Sequence, residues 1–265
     1  MVLAGKGVRP VDKWVGRVIL VLFCVQMLVP VFGLVLFTIT GGGPASLAPY
    51  AQLFSDPAFW SASLQSLVIS LLGVALAIVL LTPSVWYAYM YHPRWLRVIE
   101  GLSFISFVLP AVVLGLAYVQ FFSNPPLALA GTPTLLPFAF TLLGMPYYVQ
   151  ALLNRLRLMD AKTFHDAARS LGSSTLRSLL QIQAPLLRSG ILNGSILVFS
   201  MGAGEFTIMD LTTGGSYTTL PIYIQVAFQN NPLEGSAMAV FSLVISALLV
   251  FIALALIGRT RKVNA

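Results

Sequence analysis

Few residues in this 265-residue chain carry side chains able to do covalent or metal chemistry. The histidines are His92 and His165, the cysteine is Cys24, and there are eight acids. Nucleophilic catalysis needs a base beside a Ser, Cys or Thr, but both histidines fall in polar segments rather than apolar runs. No His, Cys, Asp or Glu cluster has metal-ligand spacing, so no metal site is expected. Cys24 lies inside an apolar run and reads as a small buried residue. A phosphate loop needs G-x-x-x-x-G-K-[ST], and the sole Gly-Lys, Gly5-Lys6, lacks both the earlier glycine and the following hydroxyl. The chain is therefore expected to be no enzyme and to hydrolyse no ATP of its own.

Composition supplies the reason. Hydrophobic residues make up 58% of the chain and charged residues 9%, against about 25% charged in soluble domains. The net charge of +7 is not clustered with aromatics as a nucleic-acid surface requires, so nucleic acid is excluded as a partner. Six apolar runs, approximately 18–39, 64–90, 98–122, 133–153, 187–209 and 236–257, are long enough to be transmembrane helices. The first follows Lys6, Arg9, Lys13 and Arg17 as in a signal peptide, but exceeds the about 7–15 residues of a signal h-region. Prolines 30, 83, 110, 137 and 146 lie within these runs, which membrane helices tolerate.

Charge placement gives the orientation. Lys6, Arg9, Lys13 and Arg17 precede the first run; Arg94 and Arg97 follow the second. Arg155, Arg157, Lys162, Arg169, Arg177 and Arg188 follow the fourth, and Arg259, Arg261 and Lys262 follow the sixth, which accounts for all fifteen Lys and Arg. The alternate loops, about 40–63, 123–132 and 210–235, contain none. Basic residues remain cytoplasmic, so both termini are inside and those three loops outside. Trp86, Tyr87, Tyr89 and Tyr91 mark the inner end of the second span, and Phe59 and Trp60 precede its outer end.

The cytoplasmic segment at about 154–186 has structure of its own. Thr163 with Asp166 resembles a capping box. Phe164, Ala167, Ala168 and Leu171 then form one apolar face of a short helix, with His165, Asp166, Arg169 and Ser170 on the other side. Gly172 suits a helix end, and Ser173 or Ser174 can cap a second short helix running to about Gln183 and stopped by Pro185. The apolar stripe either packs back on the bundle or docks in a partner's groove.

Asp166-Ala167-Ala168, three residues, Gly172, nine residues, then Ile182-Gln183-Ala184-Pro185 resembles the EAA loop of binding-protein-dependent ABC importer permeases. That family's pattern is Glu-Ala-Ala, three, Gly, nine, Ile-x-Leu-Pro; Asp166 and Ala184 depart from it while keeping an acid near a helix start and an apolar residue before the proline. The stretch 61–81, Gly204-Glu205, and Thr219-Leu220-Pro221 with Ile224 look like the permeases serving polyamines, ferric iron, thiamine and 2-aminoethylphosphonate.

The resemblance implies an all-α, six-span, type I importer permease bundle, N-in and C-in, with 1–265 as one permease domain in a bacterial cytoplasmic (inner) membrane. Phe164, Asp166, Ala167, Ala168, Leu171, Gly172 and Pro185 would form the coupling element for an ATPase subunit. The implied partners are two ATPase subunits carrying ATP and Mg, a second permease, homologous or identical, and an external substrate-binding protein; no cofactor is expected in this chain. A secondary transporter or channel is the alternative, disfavoured because the spans carry essentially no mid-span charge. Asp56, Glu205, Asp210 and Glu234 sit at or beyond the outer span ends without basic neighbours. Either the exclusion of Lys and Arg from outer loops leaves these acids unbalanced, or they form a vestibule that favours a polyamine-like cation over 2-aminoethylphosphonate, with ferric iron and thiamine as other candidates. Glu205 and Asp210 are the residues expected along the translocation pathway, Glu205 because glycines interrupt the end of the fifth run.

Overall fold

A computed structural model describes residues 10–41 and 43–262, with side chains described for 14–41 and 43–252. Gly5, Lys6, Arg9 and Gly42 fall outside the described residues, as do the side chains of Lys13, Arg259, Arg261 and Lys262. Every regular element among the described residues is helical. They form two compact units, one within 1–56 and 226–244, the other within 57–225 and 245–265.

The helices follow the apolar runs. They are α1 (Pro10–Thr40), α2 (Ala48–Ser55), α3 (Pro57–Tyr91), α4 (Pro93–Val108), α5 (Ala111–Phe122), α6 (Leu136–Leu158), α7 (Ala161–Ser170), α8 (Thr175–Arg177), α9 (Ala184–Ala203), α10 (Thr207–Thr213), α11 (Leu220–Asn230) and α12 (Pro232–Lys262). Five helical stretches among the described residues are long and apolar enough to span a membrane: 14–40, 57–91, 133–158, 175–203 and 232–252. The pair α4–α5 supplies a sixth if it is counted as one bent span. The short helices α2, α10 and α11 occupy segments the charge pattern treats as outer loops.

Two expectations change here. The run 98–122 is not one straight helix, because α4 and α5 meet at 106°. Leu109 is extended (φ −83°, ψ 124°) and Pro110 follows with ψ 143°, since the proline ring drives the preceding residue out of the helical region. Pro30, Pro83 and Pro146 lie inside continuous helices, and Pro137 sits in the first turn of α6, where its missing N–H costs nothing. The fifth run also stops early: α9 ends at Ala203, and α10 begins after a break at Gly204–Phe206.

The bent pair still carries the chain from one end of its unit to the other. Tyr91, just before α4, bonds to His165 in the 154–186 segment. Beyond α5, Gly131 N–H donates to the Thr212 carbonyl and Ser216 Oγ to the Gly131 carbonyl. The loops 123–132 and 210–217 therefore share an end, as the charge partition requires.

Within the larger unit, α6 packs most extensively on α9 and α3. Small residues allow it: a Cβ on Gly144 of α6 would lie 2.8 Å from Val198 Cα, and one on Gly194 of α9 3.1 Å from Tyr148 Cα. Without a hydrophobic drive in lipid, such backbone approach and interhelical hydrogen bonds hold helices together. Thr82 Oγ1 and Tyr148 Oη bond at 2.7 Å between α3 and α6, both buried. Ser106 Oγ donates to the Leu142 carbonyl and anchors α4 to α6. One apolar cluster, including Trp86, Leu152, Leu156 and Leu187, fills the inner half; another, including Ile69, Phe140, Ile208 and Ile222, fills the outer half.

In the smaller unit, Thr38 Oγ1 and Tyr50 Oη bond at 2.7 Å, and Phe54 meets Phe241 edge-on at 5.0 Å. Asn231 Oδ1 accepts the Leu233 and Glu234 amides while its Nδ2 donates to Glu234 Oε1, which caps α12. Glu234, one of the outer acids counted from sequence as favouring a cation, has this local role.

Candidate functional site

The 154–186 segment forms a helix, a tight turn and a second helix. α6 ends at Leu158, and Asp160 adopts a left-handed conformation (φ 47°, ψ 55°) before α7. Thr163 Oγ1 donates to Asp160 Oδ2 at 2.6 Å. The helix thus starts at Ala161, and Asp160 stands at its N-cap position; the Thr163–Asp166 capping box is not formed.

At the other end the expectation for Gly172 holds. Gly172 has φ +82°, its N–H donates to the Arg169 carbonyl, and Ser173 N–H donates to the Ala168 carbonyl, each at 3.0 Å. This pair of bonds is a Schellman motif, which satisfies carbonyls that the helix end leaves free. Ser174 Oγ then accepts the Arg177 amide at 3.2 Å and caps α8.

Pro185 does not stop the second helix. Residues 178–183 form a π-helical turn in which Ala184 N–H bonds to the Leu179 carbonyl five residues back, and Pro185 falls in the first turn of α9. The wider turn takes up the backbone disruption that proline brings, and the chain stays helical from Thr175 to Ala203.

The helix α7 is rotated from the orientation its stripe suggests, by less than one residue step of about 100°. Ala161, His165 and Ala168 face inward and are buried. Phe164 is 47% exposed and Leu171 89%, and Asp166 and Ala167 are also exposed. His165, placed on the polar side from sequence, is 4% exposed. Its Nδ1 bonds to Ser178 Oγ at 2.8 Å and its Nε2 to Tyr91 Oη at 2.6 Å, while its ring meets those of Trp86 and Tyr91 edge-on. Trp86, expected at the membrane interface, is buried in this contact. Gln183 Nε2 donates to the Ala161 carbonyl and closes the packing. The available signal was the spacing of 161, 165 and 168, which share a face at i, i+4 and i+7.

The result is a knuckle whose inner face grips the bundle and whose outer face presents Phe164 and Leu171. Leu176 and Leu180 are exposed on the following helix. Arg169 Nη1 donates to the Ser173 carbonyl at 2.8 Å and Arg177 Nε to Gln181 Oε1 at 2.9 Å, so these cations stiffen the turn and the helix after it. Exposed apolar side chains on a short helix that ends in a fixed turn suit insertion into a groove.

Glu205 and Asp210 lie at the opposite end of α9, about 30 Å away along a helix of 20 residues. The structure does not bring them together with the residues of the knuckle. Glu205 Oε1 accepts the Ile208 amide at 2.8 Å and so caps the start of α10; Asp210 is exposed in that helix's first turn. Nearby, burial pushes the Tyr217 phenol above its usual value, and its Oη donates to the Gln65 carbonyl at 3.5 Å.

Comparison with known proteins gives a consistent set of relatives. The family described as "Binding-protein-dependent transport system inner membrane component" matches residues 84–262. The spermidine/putrescine transport system permease protein PotC of Escherichia coli K12 is 30% identical over 218 residues, 82% of this chain and 76% of that protein. Its counterpart from Haemophilus influenzae is 26% identical over 81% of this chain and 82% of its own length. A "probable molybdenum ABC transporter permease protein" of Haloferax volcanii is 27% identical over 92% of this chain and 91% of that protein. The matched region contains the knuckle, three of the five spanning stretches (133–158, 175–203 and 232–252) and the bent pair α4–α5. With its all-helical, multi-span architecture, this chain belongs to the binding-protein-dependent transport system inner membrane components, the multi-pass permeases of ABC importers.

Proposed function

We propose that this chain is one of two permease subunits lining the route of an ATP-driven importer for a small polyamine-like cation. Residues 1–265 act as one permease domain. The second permease, a pair of ATPase subunits with ATP and Mg, and an external binding protein complete the assembly. This chain performs no covalent step. Closure of the ATPase pair displaces the knuckle formed by Phe164, Asp166, Ala167, Ala168, Leu171 and Gly172, with Pro185 and the π turn passing the motion into α9. The pathway then alternates between outward and inward access.

The observation that carries this reading is the outer face of α7. Phe164 and Leu171 project beyond the apolar spans on a helix whose other face is buried, an arrangement suited to a groove in a partner. The polyamine assignment is supported by the spermidine/putrescine permeases among the relatives and by the acids Glu205 and Asp210, which stand in a stretch of sequence without Lys or Arg. Glu205 and Asp210 are assigned to the pathway on the same ground.

The test is reconstitution of the tagged chain, co-expressed with its neighbouring transport genes, into proteoliposomes. An ATPase subunit should co-purify, and labelled spermidine should enter only with ATP and binding protein. Uptake without nucleotide refutes the ATP-driven reading; ATP-dependent uptake of molybdate in place of spermidine refutes the cation assignment alone.

A further inference from the structure

We propose that His165 is the positioning residue through which the α7 knuckle moves α3, and that α3 carries that motion to the outer segment 217–222. This rests on the ATP-driven reading above. The helix α7 packs mainly on the 178–183 turn and the end of α6, and it reaches α3 chiefly through this one side chain. His165 is held on both ring nitrogens, by Ser178 Oγ at 2.8 Å and Tyr91 Oη at 2.6 Å. Trp86 and Tyr91, both on α3, clasp its ring edge-on with centroids 5.4 Å away. Lys162 Nζ lies 5.6 Å over the Tyr89 ring as a second contact to α3, but Lys162 is exposed and solvent weakens such a pair. A buried, doubly hydrogen-bonded ring is directional and stiff where an exposed cation is not.

The outer half of α3 is tied as well. Ser66 Oγ accepts the Leu220 amide at 2.7 Å, and Tyr217 Oη donates to the Gln65 carbonyl at 3.5 Å. Between Ser66 and Tyr91 the chain stays within the single helix α3, a separation of about 38 Å. Displacing its inner end at Tyr91 therefore displaces the contacts of 217–222, where Thr219 and Ile222 are buried in the same unit.

The experiment uses the assembled complex in a Cys24→Ser, Ser216→Cys background, because Ser216 is exposed at the outer end. The labelling rate with a membrane-impermeant maleimide is measured with and without Mg and a non-hydrolysable ATP analogue, per complex containing bound ATPase. In this background the nucleotide should change the rate. Tyr91→Phe, which removes one oxygen and keeps the ring, should shrink that change about fivefold, the factor matching one net hydrogen bond. His165→Leu should do the same, and His165→Gln, which retains a polar atom within reach of Tyr91, should restore it. A merely structural role would lower the yield of complex and leave the response per complex intact, which would overturn the proposal. So would a full response in Tyr91→Phe. If the background shows ATP-dependent spermidine uptake but no labelling response, this inference alone fails; if it shows neither, the ATP-driven reading fails and takes this one with it.

Discussion

Gly172→Val isolates backbone strain from steric clash. A Cβ at position 172 would meet no atom within 4 Å, so the substitution introduces no overlap with neighbours. The entire cost comes from φ +82°, where an L-residue loses about 1–2 kcal/mol, with β-branched valine at the upper end or beyond. The bonds at stake are Gly172 N–H to the Arg169 carbonyl and Ser173 N–H to the Ala168 carbonyl. If the strain is released by opening this turn, amide exchange across 168–176 should speed up about 5–30-fold, the equivalent of 1–2 kcal/mol. Hydrogen exchange read by mass spectrometry on the reconstituted protein measures this peptide directly. Asparagine tolerates the left-handed region, so Gly172→Asn should stay within about twofold of the parent. Equal acceleration by valine and asparagine, or none by valine, would refute the argument that the turn depends on glycine's conformational freedom. The same valine variant should insert and bind ATPase yet transport poorly, because the disordered turn no longer sets the angle between α7 and the helix after it.

Further outcomes follow from single contacts. Gly144→Ala would place Cβ 2.8 Å from Val198 Cα and should cost about 1–3 kcal/mol, lowering the thermal midpoint of the solubilised protein, whereas Gly101→Ala meets open space and should leave it unchanged or slightly raised. Ser174→Ala removes the cap on the Arg177 amide and should cost about 1 kcal/mol, seen as faster exchange over 175–180. Glu205→Gln keeps an acceptor for the Ile208 amide while removing the charge. If Glu205 serves the pathway by charge, the glutamine variant should raise the KM for spermidine as much as Glu205→Ala does, and full rescue by glutamine would reduce Glu205 to a helix cap. Tyr148→Phe removes the buried bond to Thr82 and should cost about 1 kcal/mol with little change in yield.

Hydropathy and charge alone determined that this chain crosses a membrane repeatedly and which of its loops face the cytoplasm. Both are sums over local residue types that packing cannot reverse. The knuckle's turn was equally local: Gly172 and Ser174 act through their own backbone and side-chain atoms, and the structure has both where the pattern puts them. Tertiary structure decided what depends on neighbours. Pro110 breaks a helix into parts 106° apart while Pro83 and Pro146 do not, because the outcome depends on whether adjacent helices support the disrupted turn. A π turn likewise lets the chain run helically through Pro185. His165 turned inward because Tyr91, 74 residues earlier, and Ser178 offer its ring two hydrogen bonds, and a polar side chain becomes a core residue once such partners exist.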